Sequence, residues 1–246
     1  TPTTRLIFTE SPGSQTFEMQ DIPAIAAVTR ERGLWLLMDN TWASPRYFKP
    51  FAHGVDVSIQ ALTKYVVGHA DAMLGAITGT PRAAPHLDRI KEALGLSAGS
   101  EETYLALRGL RTLDVRLERH QASGLEVARW LQARPEVARV IHPALEGDAG
   151  HSIWKRDWLG ASGLFAFTLK PVSETALAAF LDHLELFGMG YSWGGFESLI
   201  IPFDPRSYRT ATAWTEPGPA LRVHIGLESV DDLKRDLAAG FARLNA

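Results

Sequence analysis

The chain has 246 residues, 46% of them hydrophobic, a formal net charge of −3 and no cysteine. A sizeable core is within reach, in one large domain or two smaller ones, and disulfides, zinc–thiolate sites, iron–sulfur clusters and a thiol nucleophile are excluded. No Lys/Arg run reads as a nucleic-acid or membrane patch, the apolar run Leu34–Met38 is far too short to span a bilayer, and a reducing cytoplasm fits.

Arg5 to Thr9 is strand-like with almost nothing before it, so an N-terminal portion is expected to precede Thr1. Asp21-Ile22-Pro23 then predicts a helix start, with Asp21 as N-cap and proline in the first turn. Ala24, Ile25 and Val28 supply the apolar side, and Gly33 stops the helix. Residues 34–38, 55–59 and 72–78 read as further strands. This alternation predicts an α/β layer with a largely parallel sheet, whose ligands bind beyond the carboxyl ends of the strands. Asp39 and Lys64 both follow strand ends. Residues 81–94 are helical, and a longer helical stretch runs from about 100 to 133, with Gly109 and Gly124 as weak points. Its apolar stripe is Leu110, Leu113, Leu117, Ala128 and Leu131.

The remainder predicts a smaller α+β unit. Strands are expected at 137–141, 163–169 and 221–225, and a helix at 173–183 with Ser173 as N-cap. The tract 203–219 carries prolines and reads as a loop, with or without a short helix. Ser229 and Asp232 resemble a capping box before a helix whose apolar face is Val230, Leu233, Leu237, Phe241 and Leu244.

Several residues admit both a chemical and an unremarked role. Lys64, just past an apolar strand, is either a solvated lysine or an amine whose pKa falls on desolvation until it becomes nucleophilic. Asp39 is either a turn former or the partner of a cationic heterocycle nitrogen. Arg222 interrupts Leu221–Ile225; it either faces solvent or captures a carboxylate. His224 shares its face and reads as a packed or solvated residue. Ser192-Trp193-Gly194-Gly195 is a tight turn able to present backbone N–H groups to an anion, or a plain loop. No His/Asp/Glu cluster has metal-ligand spacing, so no metal site is expected.

Taken in order, five segments form a pattern: Glu10-Ser11-Pro12-Gly13-Ser14, Asp39-Asn40-Thr41-Trp42-Ala43-Ser44-Pro45, Ser58 to Asp71 around Thr63-Lys64-Tyr65, Tyr191 to Leu199, and Leu221 to Glu228. By these segments the chain resembles the Cys/Met-metabolism pyridoxal-phosphate (PLP) family over essentially its whole length. The resemblance implies an aspartate-aminotransferase-like (fold type I) large domain with a mostly parallel sheet, its C-terminal part at residues 1–110. A smaller α+β C-terminal domain with the connecting helix is expected at 111–246. It also implies that Lys64 carries PLP as a Schiff base, that Asp39 faces the pyridine nitrogen and Thr63 the phosphate, and that Arg222, Ser192, Trp193 and Tyr191 bind substrate. Ala61 stands where a phosphate-binding serine is usual, which removes one expected contact.

Within the family, Trp193, Gln60-Ala61 and Ser14 resemble the branch that cleaves cystathionine by β-elimination, giving homocysteine, pyruvate and ammonia in transsulfuration and methionine biosynthesis. A γ-lyase or γ-synthase relative is the alternative, and a catalytically silent cofactor-binding fragment is the non-enzyme one. The resemblance further implies a cytoplasmic homotetramer, a dimer of dimers, acting on a small sulfur amino acid and on neither nucleic acid nor membrane.

Overall fold

The structure, a computed structural model, describes residues 1–245. Strand β1 (Leu6–Glu10) leads through α1 (Ile22–Glu31) to β2 (Trp35–Asp39). Asp21 caps α1 as expected: its carboxylate accepts the Ala24 N–H at 3.0 Å, and Pro23 occupies the first turn. A short helix α2 (Ser44–Tyr47) precedes β3 (Val57–Ala61), and β4 (Gly75–Gly79) follows. β1, β2 and β3 pair in parallel in that order, with Glu10 opposite Asp39 and Asp39 opposite Ile59. β4 closes the sheet as an antiparallel edge on β3. The carboxyl ends of three strands therefore open on one edge, as parallel order requires.

Helices α3 (Ala84–Leu94), α4 (Ser100–Leu110) and α5 (Leu113–Gln132) come next. The stretch expected as one helix over 100–133 is two, broken at Arg111 and Thr112 rather than at its glycines. Gly109 and Gly124 are points of close approach instead. A Cβ on Gly109 would stand 2.1 Å from the Val66 carbonyl oxygen, and one on Gly124 3.2 Å from Gly163 Cα.

The second sheet comprises β5 (Val137–Ile141), β6 (Leu164–Leu169), β7 (Leu199–Phe203) and β8 (Ala220–His224), fully antiparallel in the order β5-β6-β8-β7. Between them lie α6 (His151–Asp157) and α7 (Glu174–Leu181), and α8 (Val230–Leu244) ends the unit. The sequence reading contains neither α6 nor β7; the first is only seven residues, and the second holds Pro202, which its place at the sheet edge tolerates. Ser173 caps α7 by accepting the Ala176 N–H at 3.1 Å. The capping box at α8 is corrected: the Ser229 side chain makes no capping bond, and Asp231 and Asp232 face the positive end of the helix dipole instead. The expected apolar stripe holds, with Leu233, Leu237, Phe241 and Leu244 buried beside Phe165, Phe167, Phe180 and Leu221. Among the described residues no helix is long and apolar enough to cross a membrane.

Candidate active site

The loop after β3 is built to hold Lys64 in place. Lys64 N–H bonds the Ala61 carbonyl at 3.1 Å, and the Lys64 carbonyl accepts the Gly68 N–H at 2.8 Å. Buried Arg116 of α5 clamps it from behind. Its guanidinium donates to the carbonyls of Tyr65 (2.6 Å), Val66 (3.1 Å) and Gly109 (2.8 Å), and to the Thr112 hydroxyl (3.0 Å). Among the described residues Arg116 forms no ion pair, so carbonyl dipoles answer its charge. Arg116 is absent from the sequence reading, although a cation between Leu113 and Leu117 in an apolar stripe is a visible anomaly.

Lys64 itself is half-buried. Its Nζ donates to Ser192 Oγ at 2.9 Å and stands 5.3 Å from the Trp193 ring centroid. Burial, and then the nearby Arg222 guanidinium, push the Lys64 amine below the usual lysine range. Among the described residues no carboxylate counters that effect, so the amine is biased toward its nucleophilic form.

Arg222 lies in mid-β8, 6% exposed, and its Nη2 donates to the Tyr191 carbonyl at 2.5 Å. Its guanidinium carbon is 5.7 Å from the Tyr191 ring centroid. Among the described residues it has no acidic partner, which leaves most of a planar fork free for a carboxylate. Trp193 is buried, whereas Ser192 and Tyr191 are exposed. Lys64, Ser192, Trp193, Arg222 and Tyr191 therefore form one constellation, assembled from the β3 loop, the 191–195 turn and β8.

Asp39 ends β2. Its Oδ1 accepts the Thr41 N–H at 2.8 Å, and among the described residues its Oδ2 makes no hydrogen bond. Glu10 neighbours it across the parallel register; burial, then Asp39, raise the Glu10 carboxyl above the usual carboxylate range. Thr41 Oγ1 accepts the Ala61 N–H at 2.9 Å, tying the Asp39 turn to the strand that delivers Lys64. Thr63, beside Lys64, is held by the Leu74 backbone. Its hydroxyl donates to the Leu74 carbonyl at 3.2 Å and accepts the Leu74 N–H at 2.9 Å. A phosphate contact from Thr63 requires that donated bond to swing away.

A cavity of about 860 Å³ lies elsewhere, between β4 and α3, lined by Met73, Ile77, Leu87 and Ile90 among others. Lys64, Asp39, Thr63, Arg222 and the 191–193 turn do not line it. Among the described residues no group of three or more His and carboxylate side chains could hold a metal ion.

Three comparisons give this geometry a context. The sequence model described as Cys/Met metabolism PLP-dependent enzyme matches residues 1–242. A putative cystathionine beta-lyase of Rhizobium johnstonii is 52% identical over 99% of the chain, and a cystathionine beta-lyase of Salmonella typhimurium is 49% identical over 99%. The chain spans 62% and 63% of their lengths, less than two thirds of each. Among solved structures, a cystathionine gamma synthase from Xanthomonas oryzae pv. oryzae in complex with aminoacrylate and cysteine superposes with a TM-score of 0.89 at 33% identity. That match covers 98% of this chain and 64% of the other. The expected fold, a PLP-transferase-like α/β layer followed by an α+β unit, agrees with these neighbours.

Proposed function

Since the chain belongs to the Cys/Met metabolism PLP-dependent enzyme family, we propose that it is a carbon–sulfur lyase converting L-cystathionine and water to homocysteine, pyruvate and ammonia. One observation carries the proposal: a half-buried amine, depressed in pKa and paired only with a hydroxyl, beside a buried guanidinium that has no acid of its own. The residues fit PLP. Lys64 offers an amine, Asp39 an oxygen free for a ring N–H, and Arg222 a fork for an amino-acid carboxylate.

When bound, PLP supplies an electron sink for a carbanion at the substrate Cα. Lys64 Nζ would hold the cofactor and would serve as the base that takes the substrate Cα proton. Asp39 keeps the pyridine nitrogen protonated. Thr63 turns its hydroxyl from Leu74 to the phosphate. Arg222 binds the α-carboxylate, while Ser192, Trp193 and Tyr191 orient the thioether so that the breaking bond is aligned. The β-lyase reading rests on the relatives at 49–52% identity. A γ-acting enzyme is the second reading, favoured by the γ-synthase neighbour. The expected domain division, 1–110 and 111–246, is supported by the break between α4 and α5. A cytoplasmic homotetramer belongs to the same proposal, supported by the exposed row Tyr104, Leu107, Leu110 and Val115.

The test is to add PLP and cystathionine and identify the keto acid. Pyruvate is expected. 2-Oxobutyrate would replace β- with γ-elimination, and no keto acid would favour the silent-fragment alternative.

A further inference from the structure

His224, last residue of β8, is 1% exposed, and none of the roles above uses it. Its Nε2 stands 3.1 Å from the Gly194 N–H and 3.2 Å from the Gly195 carbonyl oxygen. With the ring proton on Nδ1, Nε2 accepts the Gly194 N–H, and Nδ1 has no partner among the described residues. The neighbouring buried ring, His120 of α5, shows the complementary defect. Its Nδ1 lies 2.8 Å from the Ile225 carbonyl oxygen and so donates, leaving Nε2 a bare acceptor with no partner. The two ring centroids are 5.2 Å apart, and each is within 5.8 Å of the Tyr65 ring. Burial holds both rings neutral, with pKa values near 3 for His224 and near 4 for His120. An imidazolium at His224 would lose its acceptor for Gly194.

Gly194 is where this bears on chemistry. Its φ is +84°, and a Cβ there would stand 2.9 Å from the Lys64 carbonyl carbon. The turn is thus held between the His224 ring and the Lys64 backbone, with Ser192 and Trp193 displayed at the amine. We propose that His224 is a positioning residue: by holding the Gly194 N–H at its Nε2, it fixes the Ser192–Gly195 turn against Lys64 and so sets the environment of the Lys64 amine. The proposal builds on the reading of Lys64 as the reactive amine.

Glutamine can place an amide oxygen near the position of Nε2, whereas asparagine reaches only as far as Nδ1. His224→Gln should therefore keep the Gly194 bond and His224→Asn should lose it. The first measurement is the pH profile of acetic anhydride labelling of Lys64, read by mass spectrometry on the chain without cofactor. The second is pyruvate release with PLP and cystathionine. In His224→Asn the Lys64 profile should move and kcat should fall on the order of tenfold to a hundredfold, while His224→Gln stays within about threefold of wild type. Equal behaviour of the two variants, whether both damaged or both intact, overturns the proposal. If His224→Asn does not fold, His224→Leu carries the test: it offers no acceptor for the Gly194 N–H, and a Lys64 profile equal to that of His224→Gln overturns the proposal. A wild-type chain that releases no keto acid would sink the lyase reading, while the labelling comparison would still decide this one.

Discussion

The two sheets differ in how fully they are covered. In the second, every residue of β6 and β8 is buried, enclosed by α5, α7 and α8. In the first, Leu6 and Phe8 of β1 are 48% and 56% exposed and Ile77 of β4 is 57% exposed. The proposed site draws on both. Lys64 and Asp39 stand at strand ends of the less covered sheet, whereas Arg222 and His224 project from a strand packed on both faces. A helix common to the two, α5, reaches from the second core to the lysine loop through Arg116 and His120. The difference teaches a division of labour: the reactive amine lies on a turn, and its precision is borrowed from the half that has the denser core.

The largest expected effect tests the chemistry at the turn. Lys64→Ala should reduce pyruvate release by roughly 10³-fold or more, and turnover near wild type would remove the assigned role. Phe167→Ala, in the middle of β6, should cost about 4 kcal/mol by urea unfolding. A loss below about 1 kcal/mol would mean that the second core is not the firmer half. Arg222→Ala should lower kcat/KM on the order of 10²-fold, mostly through KM; a change confined to kcat would argue against carboxylate capture.

Acid should strain the second unit. His142 and His224 are held near pKa 3 and His120 near 4 by burial, against about 6.5 in an unfolded chain. Between those values the unfolded state binds more protons, so stability falls as pH drops below about 6.5 and is regained on returning above it. Each histidine contributes about 2 kcal/mol to the loss at pH 5. Urea midpoints at pH 5 and pH 7 measure this, and equal midpoints would contradict neutral burial. The smallest effect is expected at the uncovered sheet, where Ile77→Thr should stay within about 0.5 kcal/mol of wild type in urea.

Residues that break a strong local pattern were legible. Lys64 and Asp39 follow apolar runs and Arg222 interrupts one, and all three lie where a strand end or strand face was expected to present them. Asp21 and Ser173 were equally readable, because an N-cap is a local bond within three residues. Non-local partners were not. Arg116 bonds carbonyls about fifty residues away, and His120 and His224 meet only once α5 packs on β8. The bonds between Thr63 and the Leu74 backbone were hidden for the same reason, since Leu74 reaches it across a loop. β7 was hidden by Pro202, and the Ser229 box by a spacing that matched without the bond.

For anyone redesigning specificity, the 191–196 turn sorts its own positions. Tyr191 and Phe196 are solvent-facing, so a randomised library can explore them without disturbing the interior, whereas Ser192 is tied to the Lys64 amine. Gly194 is closed to every other amino acid on two counts, its left-handed backbone and the Lys64 main chain against it. A library that includes position 194 would spend most of its members on displaced lysines. One confined to 191 and 196 would change the side chains around the site while the Ser192 bond to the Lys64 amine is kept.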